Sequence, residues 1–273
     1  MARHSRHSKR RMDGLRGALL GLLGLLLIGA FLGGYWWVQR THPVLDAETN
    51  CPSSGPTAIH AILFDRSDPI TDQQGQRIRQ AIDRYKQDAS FGTRFDIYTF
   101  EGDAVHVLKP KLVLCAPGKP GDANPWTENP EQVRKRYEAK FSAVLDQTVD
   151  DLLRASRQNS SPIIESLRAA SVTSFGSVEA GQVPLRLTMV SDMVQHTALA
   201  SQFQAEPNFS TLSHSNAWPL LEPRLKGAEV NILYLLRPAA VRGKAPIQNR
   251  GHQAFWEQLI AASGGRLATV EPH

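Results

Sequence analysis

The stretch TAIHAILFDRSD, residues 57–68, decides the fold. It opens with a nearly unbroken apolar run and closes on a cluster of short polar groups, Asp65-Arg66-Ser67-Asp68. An apolar run of this length without polar alternation suits a strand buried on both faces, as in the centre of a parallel sheet. His60, inside the run, reads as a core histidine. Similar runs recur at PLRLTMVSD, 184–192, which also ends in an acid, Asp192, and at EVNILYLL, 229–236. RFDIYTF, 94–100, alternates as a strand does. AVHVLKPKLVLC, 104–115, reads as a further extended segment, and GGRLATV, 264–270, as a short closing strand.

Helical patterns separate these runs. Over residues 71–90, Thr71 and Gln74 form a capping box, and Ile78, Ala81, Ile82 and Tyr85 recur at helical spacing. From about Glu131 to Arg157, one apolar stripe contains Val133, Tyr137, Phe141, Leu145, Val149 and Leu152. Pro162 stands where a helix accepts proline, at its first position, with IIESLRAAS continuing from it. Residues 251–263 form a last helix. This alternation predicts an α/β domain over residues 57–273: a doubly wound, mostly parallel sheet flanked by helices on both faces.

In such sheets ligands bind beyond the carboxyl ends of the strands, where the strand order reverses. Three polar clusters are expected there: Asp65 to Asp68, Asn159-Ser160-Ser161 before the Pro162 helix, and Ser191-Asp192. Two carboxylates and two or three hydroxyls on one rim suit a hard cation, and Mg²⁺ in particular needs few protein carboxylates. Each residue also has a structural reading. Asp65 and Asp68 suit an Asx-turn before Pro69, Ser161 suits a helix cap, and Asp192 suits a turn cap.

Over about residues 57–270 the sequence resembles the von Willebrand factor type A domain. The likeness rests on LFDRSD (63–68) as the first-strand metal motif D-x-S-x-S, on SSPIIESL (160–167) as the loop bearing the family's threonine, and on VSDM (190–193) as the later aspartate. A final helix followed by SGGRL (263–267) also suits the family. The resemblance implies Mg²⁺ held by Asp65, Ser67, Ser161 (or Ser160) and Asp192, and a role in ligand binding and assembly of complexes rather than turnover. One position departs from the pattern: the second serine of the motif is Pro69, which has no hydroxyl. The readings left open are a binding module, a metal-assisted phosphoester hydrolase, and a scaffold whose metal site has decayed.

Other chemistries find little support. The nine histidines form no H-x-x-x-H or H-E-x-x-H pattern, which leaves zinc without a ligand set. His196, four residues after Asp192, would approach the rim only from a helix. Trp218, Phe255 and Trp256 read as packing residues. No G-x-S-x-G elbow or P-loop is present. The matches to the glycosylation sequon, Asn159-Ser160-Ser161 and Asn208-Phe209-Ser210, are of a kind frequent by chance.

The net charge of +5 is uneven. Residues 1–40 hold seven Lys/Arg and one acid, which leaves 24 bases against 25 acids in the rest of the 273-residue chain. A near-neutral body argues against a nucleic-acid partner. The basic residues flank an uncharged stretch, Gly17 to Val38, which is long enough at about 33 Å to cross a bilayer. Tyr35, Trp36 and Trp37 close it as an interfacial belt. Six bases precede the stretch and Arg40 follows it, so the positive-inside rule orients residues 1–16 to the cytoplasm.

The expectation is therefore a single-pass protein of the inner membrane. It has a basic tail (1–16), a transmembrane helix (17–38), a linker (39–56) and an extracytoplasmic domain facing an envelope protein partner. A cleaved signal peptide is the competing reading, although the apolar stretch is long for one and lacks an A-x-A site. Residues 1–38 would meet anionic lipid. Gly17 with Gly21, and Gly29 with Gly33, have the spacing that lets membrane helices pair into oligomers. Cys51 and Cys115 both follow the anchor. They can pair in an oxidising compartment; the alternative is two unpaired thiols.

Overall fold

The computed structural model describes residues 5–41, 44–100, 108–122, 128–154, 160–203, 208–237 and 247–273. The readings that fall on residues 1–4, 104–107, 155–157 and Asn159 lie outside the described residues. The chain forms two compact units, Met1–Val44 and Leu45–His273.

The first unit is one helix, α1 (Ser5–Thr41). Its segment Leu19–Trp36 has a mean hydropathy of 2.0 and is long and apolar enough to cross a membrane.

The second unit runs β1 (Ala58–Asp65), α2 (Asp72–Asp88), β2 (Thr93–Phe100), β3 (Leu112–Cys115), α3 (Pro130–Tyr137), α4 (Ala143–Leu152), α5 (Ile163–Phe175), β4 (Leu185–Ser191), α6 (Phe209–Ser213), α7 (Trp218–Leu221), β5 (Glu229–Tyr234), α8 (Arg250–Ala262) and β6 (Arg266–Pro272). The sheet order is β3-β2-β1-β4-β5-β6. All neighbours pair in parallel except β2 and β3, which are antiparallel. This is the doubly wound architecture expected from the sequence. Alternate residues of β1 explain it: Ile59, Ala61 and Leu63 join one core with α5 and α8, while Ile62 and Phe64 join the other with α2 and α4. Both faces of the central strand are thus dry, which is why its sequence shows no polar alternation.

Local rules account for the helix ends. The Thr71–Gln74 capping box is present at α2. At α3, Asn129 accepts a hydrogen bond from Glu131 N, with Pro130 in the first turn. The stripe from Val133 to Leu152 is not one continuous α-helix. A π-type turn, Glu138–Ser142, separates α3 from α4. It turns both Phe141 and Ser142 inward, and Ser142 Oγ meets the buried Lys86 Nζ at 3.1 Å.

Within the described part of the 104–115 segment, residues 108–115, the strand is β3. Pro110 has no amide hydrogen to donate to a ladder, so pairing with β2 is regular only from Leu112 onward. α5 begins at Ile163, one residue later than the sequence suggested, with Pro162 as its N-cap residue.

Cys51 and Cys115 form a disulfide, so the last residue of β3 is tied to the segment before β1. Cys115 N also donates to Thr49 O at 2.7 Å, and Leu45 bridges Pro52. Residues 45–56, read from sequence as linker, therefore belong to the folded unit. Gly92, at φ +77°, completes this corner. A Cβ there would lie 3.1 Å from Thr57 and 3.2 Å from Pro52.

Candidate functional site

β1 and β4 are neighbours, and each continues outward into a different half of the sheet. The crevice at their carboxyl ends is the topological switch point. Asp65 ends β1 and Asp192 follows Ser191 at the end of β4. Both carboxylates are buried, at 4% and 5% exposure.

Asp65 is held by three donors. Ser67 N donates to Oδ1 at 2.9 Å, while Ser191 Oγ and Ser161 Oγ donate to Oδ2 at 2.7 and 3.2 Å. Ser67 Oγ in turn donates to Ser161 Oγ at 3.4 Å. The four sequence-predicted residues thus lie on one rim. Asp65, Ser67 and Ser161 share a hydrogen-bond network, and Asp192 is held separately beside it.

Ser161 does not cap α5. The amide of Ile164 in the first turn is capped by the Gln195 side chain, Oε1 accepting at 2.9 Å, which leaves the Ser161 hydroxyl for Asp65. A backbone clip between Ser161 and His196, with reciprocal N–H···O bonds of 2.9 and 3.0 Å, holds the two loops together. His196 is in this extended clip rather than a helix, so the condition for its approach to the rim is not met. Its Nδ1 pairs with Ser201 Oγ at 2.9 Å, and its ring packs edge-on against Phe203.

Asp192 Oδ1 accepts from Val194 N at 2.9 Å, and Oδ2 accepts from Arg237 Nε at 3.2 Å. Burial, and then the nearby Asp65 charge, raise the Asp192 pKa to about 7; the Val194 amide and Arg237 oppose this only in part. Arg237 makes two further contacts: Nη1 donates to the Pro69 carbonyl at 2.7 Å, and Nη2 is 3.7 Å from Asp68 Oδ2. Its backbone amide donates to Gln248 Oε1 at 2.8 Å, and Gln248 Nε2 donates to the Asp192 carbonyl at 3.0 Å.

Behind the rim, Met193 adopts a left-handed φ of +61°. Its carbonyl accepts from Trp256 Nε1 and His252 Nε2, both at 2.9 Å. Tyr234 OH donates to His252 Nδ1 at 2.6 Å, which fixes the neutral tautomer. Burial lowers the His252 pKa to about 4.

Sequence reasoning placed Ser191 on the rim but gave it no role, and missed Arg237 and Gln248 as site residues. For Arg237 a signal existed: it is the first base after the apolar run at 229–236, and the doubly wound order brings the end of that strand beside Asp192. For Ser191 the strand end placed it on the rim, but nothing local marks it as the partner of Asp65.

The oxygen-rich donor set has the chemistry of a hard-cation site. It does not fit an ion as it stands. Arg237 engages two of the five positions that the family pattern gives to metal binding, Asp192 and Pro69, and the Asp65 carboxylate is committed to three donors. Among the described residues, no group of three or more His, Cys, Asp or Glu side chains is placed to hold a metal.

No family model matches the chain, and no curated protein does. Solved structures similar to it include the following two. One is an aerotolerance-related membrane protein from Bacteroides fragilis with multiple mutations to serines: 10% identity, 79% of this chain and 91% of that one covered, TM-score 0.33. The other is the conserved hypothetical protein BatB from Bacteroides thetaiotaomicron: 14% identity, the same coverages, TM-score 0.38. The fold assignment here rests on the observed strand order: the chain carries a doubly wound, mostly parallel six-stranded α/β domain preceded by one apolar helix of membrane-spanning length.

Proposed function

We propose that this chain is a membrane-anchored, non-enzymatic binding module of the type A kind, and that a protein partner docks on the rim formed by Asp65, Ser67, Ser161 and Asp192. The observation that carries the proposal is the convergence of these residues at the switch point of the sheet, in the order the family motif requires. The strand order, with one antiparallel edge strand, agrees with that reading. Leu199, Phe203 and Leu236, all about half exposed, lie on loops that border the polar centre. Such a mixed surface suits a docking site, where apolar anchors surround polar groups that set the register.

Turnover is less well served. The rim hydroxyls of Ser161 and Ser191 both donate to Asp65 Oδ2, which orients them within the network and pairs neither with a histidine base. In the proposed topology, residues 1–16 are cytoplasmic, residues 17–38 of α1 span the inner membrane among its lipids, and residues from 45 onward are extracytoplasmic. The Cys51–Cys115 disulfide suits that oxidising side. Pairing of α1 helices through Gly17, Gly21, Gly29 and Gly33 would make the module multivalent.

The test is site-specific photocrosslinking of the full-length protein in its native membrane. A photoreactive residue at Phe203 or Leu236 should yield a discrete adduct, and one at Glu229, at the opposite end of β5, should not. Adducts from Glu229 alone, or none from the rim, would overturn the proposal. Phosphoester turnover that is lost in Asp192→Ala would make the rim a hydrolytic centre instead.

A further inference from the structure

We infer that the Arg237 guanidinium replaces a divalent cation at this rim, so that the site is built and held without metal. This rests on the location of the proposed docking site, but not on the identity of any partner. Two almost wholly buried carboxylates, Asp65 and Asp192, lie at the carboxyl ends of β1 and β4, with the half-exposed Asp68 on the loop after β1. Buried carboxylates this close need a compensating positive charge.

Arg237 supplies it, with its side chain only 26% exposed. It touches three different points: Asp192 Oδ2 at 3.2 Å, Asp68 Oδ2 at 3.7 Å and the Pro69 carbonyl at 2.7 Å. A single group therefore joins the loop after β1 to the loop after β4, as a bridging ion would. The substitution at position 69 belongs to the same arrangement. A proline there offers an ion no hydroxyl, but its carbonyl is a good acceptor for a guanidinium N–H. Gln248 fixes the Arg237 backbone to the Asp192 backbone, so the positive charge is set in place rather than recruited from solvent. Guanidinium does not lose its proton in proteins, and it does not dissociate under a chelator. Docking at this rim is therefore independent of Mg²⁺.

Thermal unfolding of the full-length chain in detergent, at pH 8 and with no partner present, tests the inference. Wild-type Tm should be the same in EDTA and in millimolar Mg²⁺ or Mn²⁺. Arg237→Met should lower Tm by about 5–10 °C, as expected for removing one partner of a largely buried pair in a domain of this size. Mg²⁺ should restore part of that loss by entering the vacated position. Adding Asp192→Asn to Arg237→Met should also restore Tm, because it removes the charge left uncompensated. Should Arg237→Met fail to fold, recovery of folding in the double variant supports the inference equally, and failure of the double variant as well refutes it. A wild-type Tm that rises saturably with Mg²⁺, stoichiometric Mn²⁺ binding by electron paramagnetic resonance, or an Arg237→Met Tm equal to wild type would each overturn the inference. These readings involve no partner, so they stand or fall separately from the crosslinking result.

Discussion

The stability of Asp192→Asn relative to wild type should rise with pH, whatever the cost of leaving Arg237 opposite an uncharged amide. The carboxyl group ionises near 3.8 in the unfolded chain and near 7 in the fold, because it is buried beside Asp65. Between these values the unfolded chain has released a proton that the folded protein keeps. The contribution of Asp192 to stability therefore falls as pH rises from about 4 to about 7, and is constant above that. A displacement of about three pH units corresponds to about 4 kcal/mol. The side chain is 5% exposed, so solvent screening reduces this little. Asparagine has the same shape and cannot ionise, so its curve lacks this loss.

The assay is urea unfolding of wild type and variant in detergent at pH 4.5 and pH 8, followed by tryptophan fluorescence. Trp256 contributes to that signal, and its indole N–H is bonded to the residue after Asp192. The stability difference, variant minus wild type, should grow by about 3–4 kcal/mol between the two conditions. Titrating groups remote from the rim cancel in that difference. A difference that stays flat, or shrinks as pH rises, would refute the idea that the rim holds a carboxylate at a cost.

Two further outcomes follow from buried groups elsewhere. Burial lowers the pKa of His60 to about 3 and that of His252 to about 4, whereas both take up a proton near 6.5 once unfolded. Wild-type stability should thus fall as pH drops from about 6.5 towards 4, and His252→Gln should remove about 1.4 kcal/mol per pH unit from that slope in denaturant titrations. The Cys51–Cys115 disulfide closes a loop with a sequence separation of 64. Replacing both cysteines with serine should cost about 4 kcal/mol in the chain-entropy description, and reduced wild type should show the same deficit by urea unfolding.

The central strands were readable because parallel sheet interiors demand a pattern that little else produces. Ile59 to Phe64 are dry on both faces, and the sequence says so directly. The α2 start was readable for a similar reason, since a capping box is a local device whose parts are three residues apart. Asp65, Ser67, Ser161 and Asp192 were found through motif order and strand ends together. What escaped were features fixed by distant partners. Arg237 meets Asp192 across 45 positions and Asp68 across 169, and no spacing rule links them. The π-type turn at Glu138–Ser142 answers to the packing of Phe141 and Lys86, not to any local breaker. The late start of β3 within residues 108–115 was local, and Pro110 was its visible cause.

The covalent link at the end of β3 decides where mechanical load enters the sheet. Were α1 held in a bilayer as proposed, tension drawn along the polypeptide would arrive at Cys51 before it could reach Thr57. There it would divide, and the stiff sulfur path would carry it into Cys115 on a four-residue border strand. Pulling would shear the β2–β3 ladder first, and the strands that carry Asp65 and Asp192 would be shielded from strain until that border had yielded.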